Sequence, residues 1–369
     1  MNFFENLKKI QVNNFIYYEN LKTYYDGKSI FEVIEKKDQS EQFLNRYFHC
    51  GGKEKVFDPL IKDLLSSKDN KYQHIVSTYF IGCLFLNIIS RYIKNIIDIG
   101  TEKQKFLYVW FLTTLYHDTV SALEYSDTDH AIIDFLTQIK SKKTIDERIN
   151  LVKTKYGMKY NLFDHNFNKN TNINLSKCSM YSIDLIKKYF QYRTDKNRLD
   201  HGIISGMLLY DRLMQNYAEL KNKFANINSK EFKYNGLIFK EIDKDIYAYC
   251  AYSIVQHNIF HANNKSYEII YKQYALDFLI GNKSKFNRKK YPLTFLLGLI
   301  DTIEPIKELN KNKLGILDKH DLNIGFNNFF KKISISSNNV NLFKNISALA
   351  DWLEVKVEKN NNEITINIE

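Results

Sequence analysis

Residues 72–97 read YQHIVSTYFIGCLFLNIISRYIKNII, and a helix of this sequence is apolar on almost every face. A helix of that kind has to be covered on all sides, so it belongs at the centre of a fold and other elements must wrap it. Only three prolines interrupt the 369 residues, and helical periodicity returns at 103–120, 197–220, 244–261 and 292–309. The chain is therefore read as mainly α, a helical bundle long enough to bury a large core. From about residue 310 the pattern changes. The run ISISS at 333–337 alternates like a strand, 340–352 has helical spacing, and 354–358 with 363–368 flank three asparagines as a hairpin. The expected organisation is an N-terminal helical extension (1–59) packing on a core domain (60–310), followed by a small α+β appendage (311–369).

The four cysteines, Cys50, Cys83, Cys178 and Cys250, form no CxxC or other zinc-type pair, and read as free thiols. Glu5, Lys8 and Lys9 break the apolar core that a signal peptide needs. The longest apolar runs fall short of the roughly 20 residues that span a bilayer, so a cytoplasmic protein with no membrane partner is the default expectation. The net charge of +11 raises the question of nucleic acid. Much of the lysine alternates with acids, however, and no aromatic–basic motif accompanies it, so dedicated nucleic-acid binding is not favoured. The sequence is compatible with a homo-oligomer. It holds no Gly-rich phosphate loop, no GxSxG elbow and no internal repeat.

Chemistry concentrates on a few ionisable groups inside apolar helical runs, where each is costly without a partner. His74 lies in the first turn of the 72–97 helix. The run TTLYHDTV at 113–120 closes the next helix with the pair His117-Asp118, and an antiparallel arrangement would bring their ligand ends together. His201 starts the 197–220 helix, with Gly202 and Gly206 close behind. Glycine inside a helix costs about 1 kcal/mol against alanine, tolerable where another backbone or a metal centre comes close. His257 and His261 stand one turn apart in the 244–261 helix. Asp301 ends a nearly unbroken apolar run that opens at Pro292. Other features are set aside. His49, His130 and His165 sit in polar or ligand-poor surroundings, 160–177 reads as an Asn-rich surface loop, 126–129 as an N-cap cluster, and 221–242 as a polar link.

Imidazoles and carboxylates without sulfur suit a divalent transition ion such as Mn, Fe, Co, Ni or Zn. The order of these groups, in YQHIVSTYF, FLTTLYHDTV and LLGLIDTIEP, resembles the HD-domain superfamily of metal-dependent phosphohydrolases over roughly residues 60–310. That resemblance implies an HD-like bundle and two metals. The first would take His74, His117, Asp118 and Asp301; the second would share Asp118 and add His201 and His257. It implies hydrolysis of a phosphomono- or phosphodiester in a phosphorylated small molecule, a nucleotide or a cyclic or short oligonucleotide, with Asp118 at the catalytic centre. His261 is the candidate acid for the leaving group. The sequence lacks the lysine that many members carry after the His-Asp pair, so Arg198, Arg212 and Lys265 are the candidates for substrate contact. Asp200 and Glu304 are adjacent enough to orient ligands.

Two other functions fit the same residues. A di-iron oxygenase of the myo-inositol oxygenase kind uses a similar ligand set. A non-catalytic module could instead use metals to staple its helices and the C-terminal piece to recognise a partner.

Overall fold

The computed structural model describes residues 3–54, 56, 71–97, 101–120, 130–225, 231–262, 264–281, 284–306, 323–326, 332–336, 346–360 and 363–368. It is mainly helical, with a small antiparallel sheet near the C-terminus. The principal helices are α1 (Lys71–Cys83), α2 (Leu86–Lys94), α3 (Glu102–Tyr116), α4 (His201–Phe224), α5 (Ile242–His257) and α6 (Pro292–Ile303); α2 is amphipathic, with Asn87, Arg91 and Lys94 exposed, whereas the others are largely buried. The strands are β1 (Glu231–Tyr234), β2 (Leu237–Lys240), β3 (Asn323–Phe326), β4 (Lys332–Ser336), β5 (Val355–Asn360) and β6 (Glu363–Ile368). The chain forms two compact units. One comprises Met1–Gly51, Ser67–Thr114 and Lys285–Glu369; the other comprises Gly52–Ser66 and Leu115–Ser284. Packing thus divides the chain differently from its order in the sequence: the C-terminal appendage belongs to the same unit as the N-terminal segment and α1.

In the first unit every residue of α1 is buried, as its apolar circumference requires. The expected 72–97 helix is two helices, however, because the backbone turns at Leu84–Phe85. Gly82 is where α3 comes close: a Cβ there would lie 2.1 Å from Cζ2 of Trp110, whose Nε1 donates to Tyr79 O at 2.9 Å. Gly298 on α6 makes the same kind of room for Trp352, whose Cη2 would stand 2.1 Å from a Cβ at that position. The helix Ile30–Ile34 begins with a capping box, Ser29 and Glu32 bonding reciprocally.

The four-stranded sheet of this unit has the order β3–β4–β6–β5, with every pair antiparallel. Pairing Ile324 with Ile335, Ile335 with Ile364 and Ile333 with Ile366 puts one buried apolar face together. The alternation at 333–337 and the hairpin flanks were legible; β3 was not. Of the helix expected at 340–352, residues 340–345 lie outside the described ones, and Leu349–Trp352 is helical.

In the second unit α4 and α5 pack backbone to backbone. A Cβ on Gly206 would stand 2.6 Å from Ala251 O, and one on Gly202 would stand 3.0 Å from Ile254 O. The stretch expected to be a polar link contains the β1–β2 hairpin. Asn235 and Gly236 both have positive φ, 47° and 76°, the pattern of a type I′ turn. Residues 160–177, expected to be a surface loop, are mostly irregular but include a 3-10 turn at Leu162–Asp164 and the start of a short helix, Leu175–Cys178, and they are not merely superficial. Asp211 Oδ1 accepts from the Lys159 and Tyr160 N–H groups, and Leu162 and Phe163 are buried. The expected N-cap cluster at 126–129 lies outside the described residues. Among the described residues no helix is long and apolar enough to cross a membrane.

Candidate functional site

The six expected metal ligands divide between the units: His74 and Asp301 belong to the first, and His117, Asp118, His201 and His257 to the second.

In the first unit His74 is buried in the first turn of α1 and held on both nitrogens by carboxylates. Nδ1 lies 2.7 Å from Glu304 Oε2, and Nε2 lies 3.2 Å from Asp301 Oδ1. Glu304 follows the last turn of α6, is itself buried, and uses Oε1 to accept from the Ile306 N–H at 2.9 Å. Glu304, accepting the Nδ1 proton, fixes the ring as carboxylates commonly do behind metal-bound histidines, and Nε2 then faces Asp301. The apolar run before Asp301 predicts deep burial. Its side chain is instead 18% exposed, because the helix ends just beyond it.

In the second unit three imidazoles and a carboxylate come together from three elements. The expected helix through Val120 stops at Tyr116, and 117–120 form a turn closed by Thr119 N–H and Oγ1 on Tyr116 O. His117 and Asp118 are therefore presented by a buried turn rather than by a helical face. Asp118 Oδ1 lies 3.4 Å from His201 Nε2. Two ligands on one transition ion, each about 2.1 Å away, stand roughly 3.0–3.5 Å apart, so this spacing suits a shared cation. The His257 ring centroid is 5.2 Å from that of His201 and 5.8 Å from that of His117. His257 donates Nδ1–H to Ile254 O at 2.5 Å, which directs its lone pair to Nε2.

His201 is positioned by residues beside it. Asp200 caps α4, accepting from Ile203 N–H at 2.9 Å, and its other oxygen accepts from Asn258 Nδ2 at 3.0 Å. The same amide nitrogen stands 3.2 Å from His201 Nδ1. A donor at Nδ1 places the imidazole proton on Nε2, towards Asp118. For Nε2 to serve a cation, that proton must leave and the Asn258 amide must turn its oxygen to the ring. Complete burial raises the Asp200 carboxyl above the usual range, against the lowering influence of Arg193 and His201. Asp200 thus bonds the Asn258 amide that stands beside His201. Asn258 was missed, although it follows His257 directly where the helix ends.

Other candidates fare differently. α5 ends at His257, so His261 lies beyond the helix and does not share its face; the expected one-turn pair is corrected. His261 Nε2 sits 3.1 Å from the Tyr181 hydroxyl. Arg212 is engaged structurally, donating to Asp211 Oδ2 and Tyr156 O, each at 2.6 Å, and this withdraws it as a substrate contact. Arg198 is exposed, and Lys265 is exposed at the start of the helix Lys265–Gln273. His165, set aside from sequence, is buried between Tyr210 OH (2.8 Å) and Asp245 Oδ1 (2.9 Å). The four cysteines are free thiols, and three of them are buried.

Comparison with protein-family models, with curated proteins and with solved structures finds no match to this chain.

Proposed function

We propose that this chain is a metal-dependent phosphohydrolase with an HD-like helical core, acting on a phosphoester of a nucleotide or a cyclic or short oligonucleotide. The observation that supports it most is the second unit's own set: Asp118 beside His201 at ligand–ligand spacing, with His117 and His257 around them. Nitrogen and oxygen donors without sulfur favour a transition ion over calcium or magnesium. The sequence resemblance adds His74 and Asp301 as ligands of a binuclear centre; that assignment rests on the order of the residues along the chain. A divalent ion held by these residues would supply a water of lowered pKa and polarise the phosphoryl oxygens.

The chain's own groups have separable roles. Asp118 has two carboxylate oxygens and can serve two cations, which an imidazole cannot. His257, locked by Ile254 O, offers Nε2 in a fixed direction without reorganisation. Asn258, bonded to Asp200, stands at Nδ1 of His201, and its amide oxygen would have to face that nitrogen for Nε2 to serve a cation. His261 is the proposed proton donor to the leaving oxygen, its ring held by Tyr181.

The test is elemental analysis of protein purified without chelator, joined to a phosphoester screen. Metal-dependent phosphate release, lost in Asp118→Ala, is the expected result. Metal without phosphoester turnover, together with a mixed-valence di-iron resonance, would replace hydrolysis by oxygenation.

A further inference from the structure

We infer that Arg288 anchors an oxyanion-binding site in the first unit, one whose chemistry suits a phosphate group. The site begins from a basic stretch that the metal reading leaves unused. Lys285, Arg288, Lys289 and Lys290 lie in a segment, 285–300, that contains no acidic residue. The three lysines behave as surface or tethering groups. Lys289 and Lys290 are exposed, with the Lys290 ammonium 5.2 Å from the Tyr291 ring, and Lys285 donates to Ala350 O.

Arg288 is different. It is only 7% exposed, and its Nε and Nη1 are fully buried with no hydrogen-bond acceptor among the described residues. A guanidinium is never deprotonated at ordinary pH and presents five donors. Burying it with no acceptor is among the costlier arrangements in a protein interior, and such a group calls for an ion or ligand.

The backbone of the turn around Arg288 is tied down, which fixes the point from which its side chain departs. Phe286 N–H donates to Trp352 O at 2.8 Å, and Glu354 N–H donates to Phe286 O at 3.0 Å. Asn287 Oδ1 accepts from Lys289 N–H at 2.7 Å and from Lys290 N–H at 3.3 Å, and Asn287 O accepts from Tyr291 N–H at 2.8 Å. Glu354, the carboxylate that this turn does reach, is bonded by the Asn287 amide. The polar groups of the turn thus find partners while Nε and Nη1 of the guanidinium do not. α6 starts four residues on, at Pro292, without a side-chain cap, so its N-terminus adds positive potential. A planar fork flanked by exposed lysines favours a doubly charged phosphate over a carboxylate.

The experiment is calorimetric titration of the whole chain with inorganic phosphate at constant ionic strength, with EDTA present, and acetate as the carboxylate arm. EDTA removes any phosphate bound through a metal, so this result stands or falls apart from the hydrolase reading. Saturable phosphate binding is expected, with acetate weaker. Arg288→Lys should weaken phosphate on the order of tenfold, since a point charge replaces a fork. Arg288→Met keeps the length and removes the charge. It should fold with an unchanged or higher Tm, and phosphate should no longer raise that Tm. No saturable binding to the wild type overturns the inference. So does an Arg288→Met protein that binds phosphate as tightly as the wild type.

Discussion

Two histidine–carboxylate clusters lie buried in the second unit, and they are built to opposite plans. Around His165, both ring nitrogens have protein partners, Tyr210 OH and Asp245 Oδ1. Asp245 in turn accepts from Thr171 Oγ1 at 2.9 Å and from the Asn168 N–H at 3.3 Å, tying the irregular stretch after 160 to α5. Donors and acceptors balance there, and the cluster needs nothing further. Around Asp118, one carboxylate serves an assembly of three imidazoles in which the His257 ring centroid stands 5.2 and 5.8 Å from the other two, and that imidazole has its lone pair directed to Nε2 by a backbone carbonyl. Three imidazoles and one carboxylate brought together from three elements offer the nitrogen and oxygen donors that a transition cation takes. A buried His–Asp contact is therefore no evidence of chemistry by itself; what differs is the number of imidazoles brought to one carboxylate.

The contrast can be broken by substitution. Asp118→Ala should carry the largest effect, a fall in turnover of at least about a thousandfold, or ~4 kcal/mol, with loss of bound metal and little loss of fold. Turnover and metal content measured on one preparation check it. Asp245→Ala should do the reverse. It strands His165, Thr171 and Asn168, and should cost about 4 kcal/mol of stability in urea denaturation while the folded fraction keeps its metal. If it depletes metal instead, the two clusters are not distinct.

Gly206→Ala sharpens the comparison by prising α4 from α5. Its methyl would meet Ala251 O and Val255 Cγ2 at 2.6 Å, so a loss of about 3 kcal/mol in thermal unfolding is expected. Metal affinity should weaken with it, since His201 and His257 sit on the separated helices.

The smallest effect is a pH dependence away from both clusters. Burial raises the Asp243 carboxyl to about 6, against lowering by the Lys240 backbone bond and by Lys53, and burial lowers Lys53 to about 8. A carboxyl raised on folding stabilises below its unfolded value of 3.8, and that contribution disappears as pH climbs to about 6. A lysine lowered on folding acts in the other direction, with stability recovering from about 8 towards 10.5. Asp243→Asn should remove the decline between pH 4 and 6, on the order of 2 kcal/mol, in denaturation series across that window.

Much of this was legible in the sequence because it follows from periodicity. The burial of α1, the alternation in β4 and the hairpin of β5 and β6 come from spacing, and the helical start at Pro292 from the fit of proline to a first turn, whereas the helix expected from 197 begins at His201, capped by Asp200. The two glycines of α4 correctly signalled a close backbone approach. What escaped had a local cause. The β1–β2 hairpin lies in a polar stretch, and its Asn-Gly turn was the overlooked sign. The end of α3 before His117 and of α5 before His261 depends on turn chemistry that an apolar pattern does not register. His165 looked superficial because its neighbours in sequence are asparagines, whereas its partners are 45 and 80 positions away. Arg212 and Asn258 were misjudged or missed because hydrogen bonding, not hydrophobicity, fixes their roles.

The most direct test is the transition-metal content of chelator-free wild-type protein against that of Asp118→Ala, with circular dichroism on both. Bound metal in the wild type at one to two ions per chain, and its loss from an equally folded variant, is the predicted result. A wild type that binds no transition metal even after reconstitution, or a variant that retains the full complement, would contradict the assignment of Asp118 and the imidazoles around it.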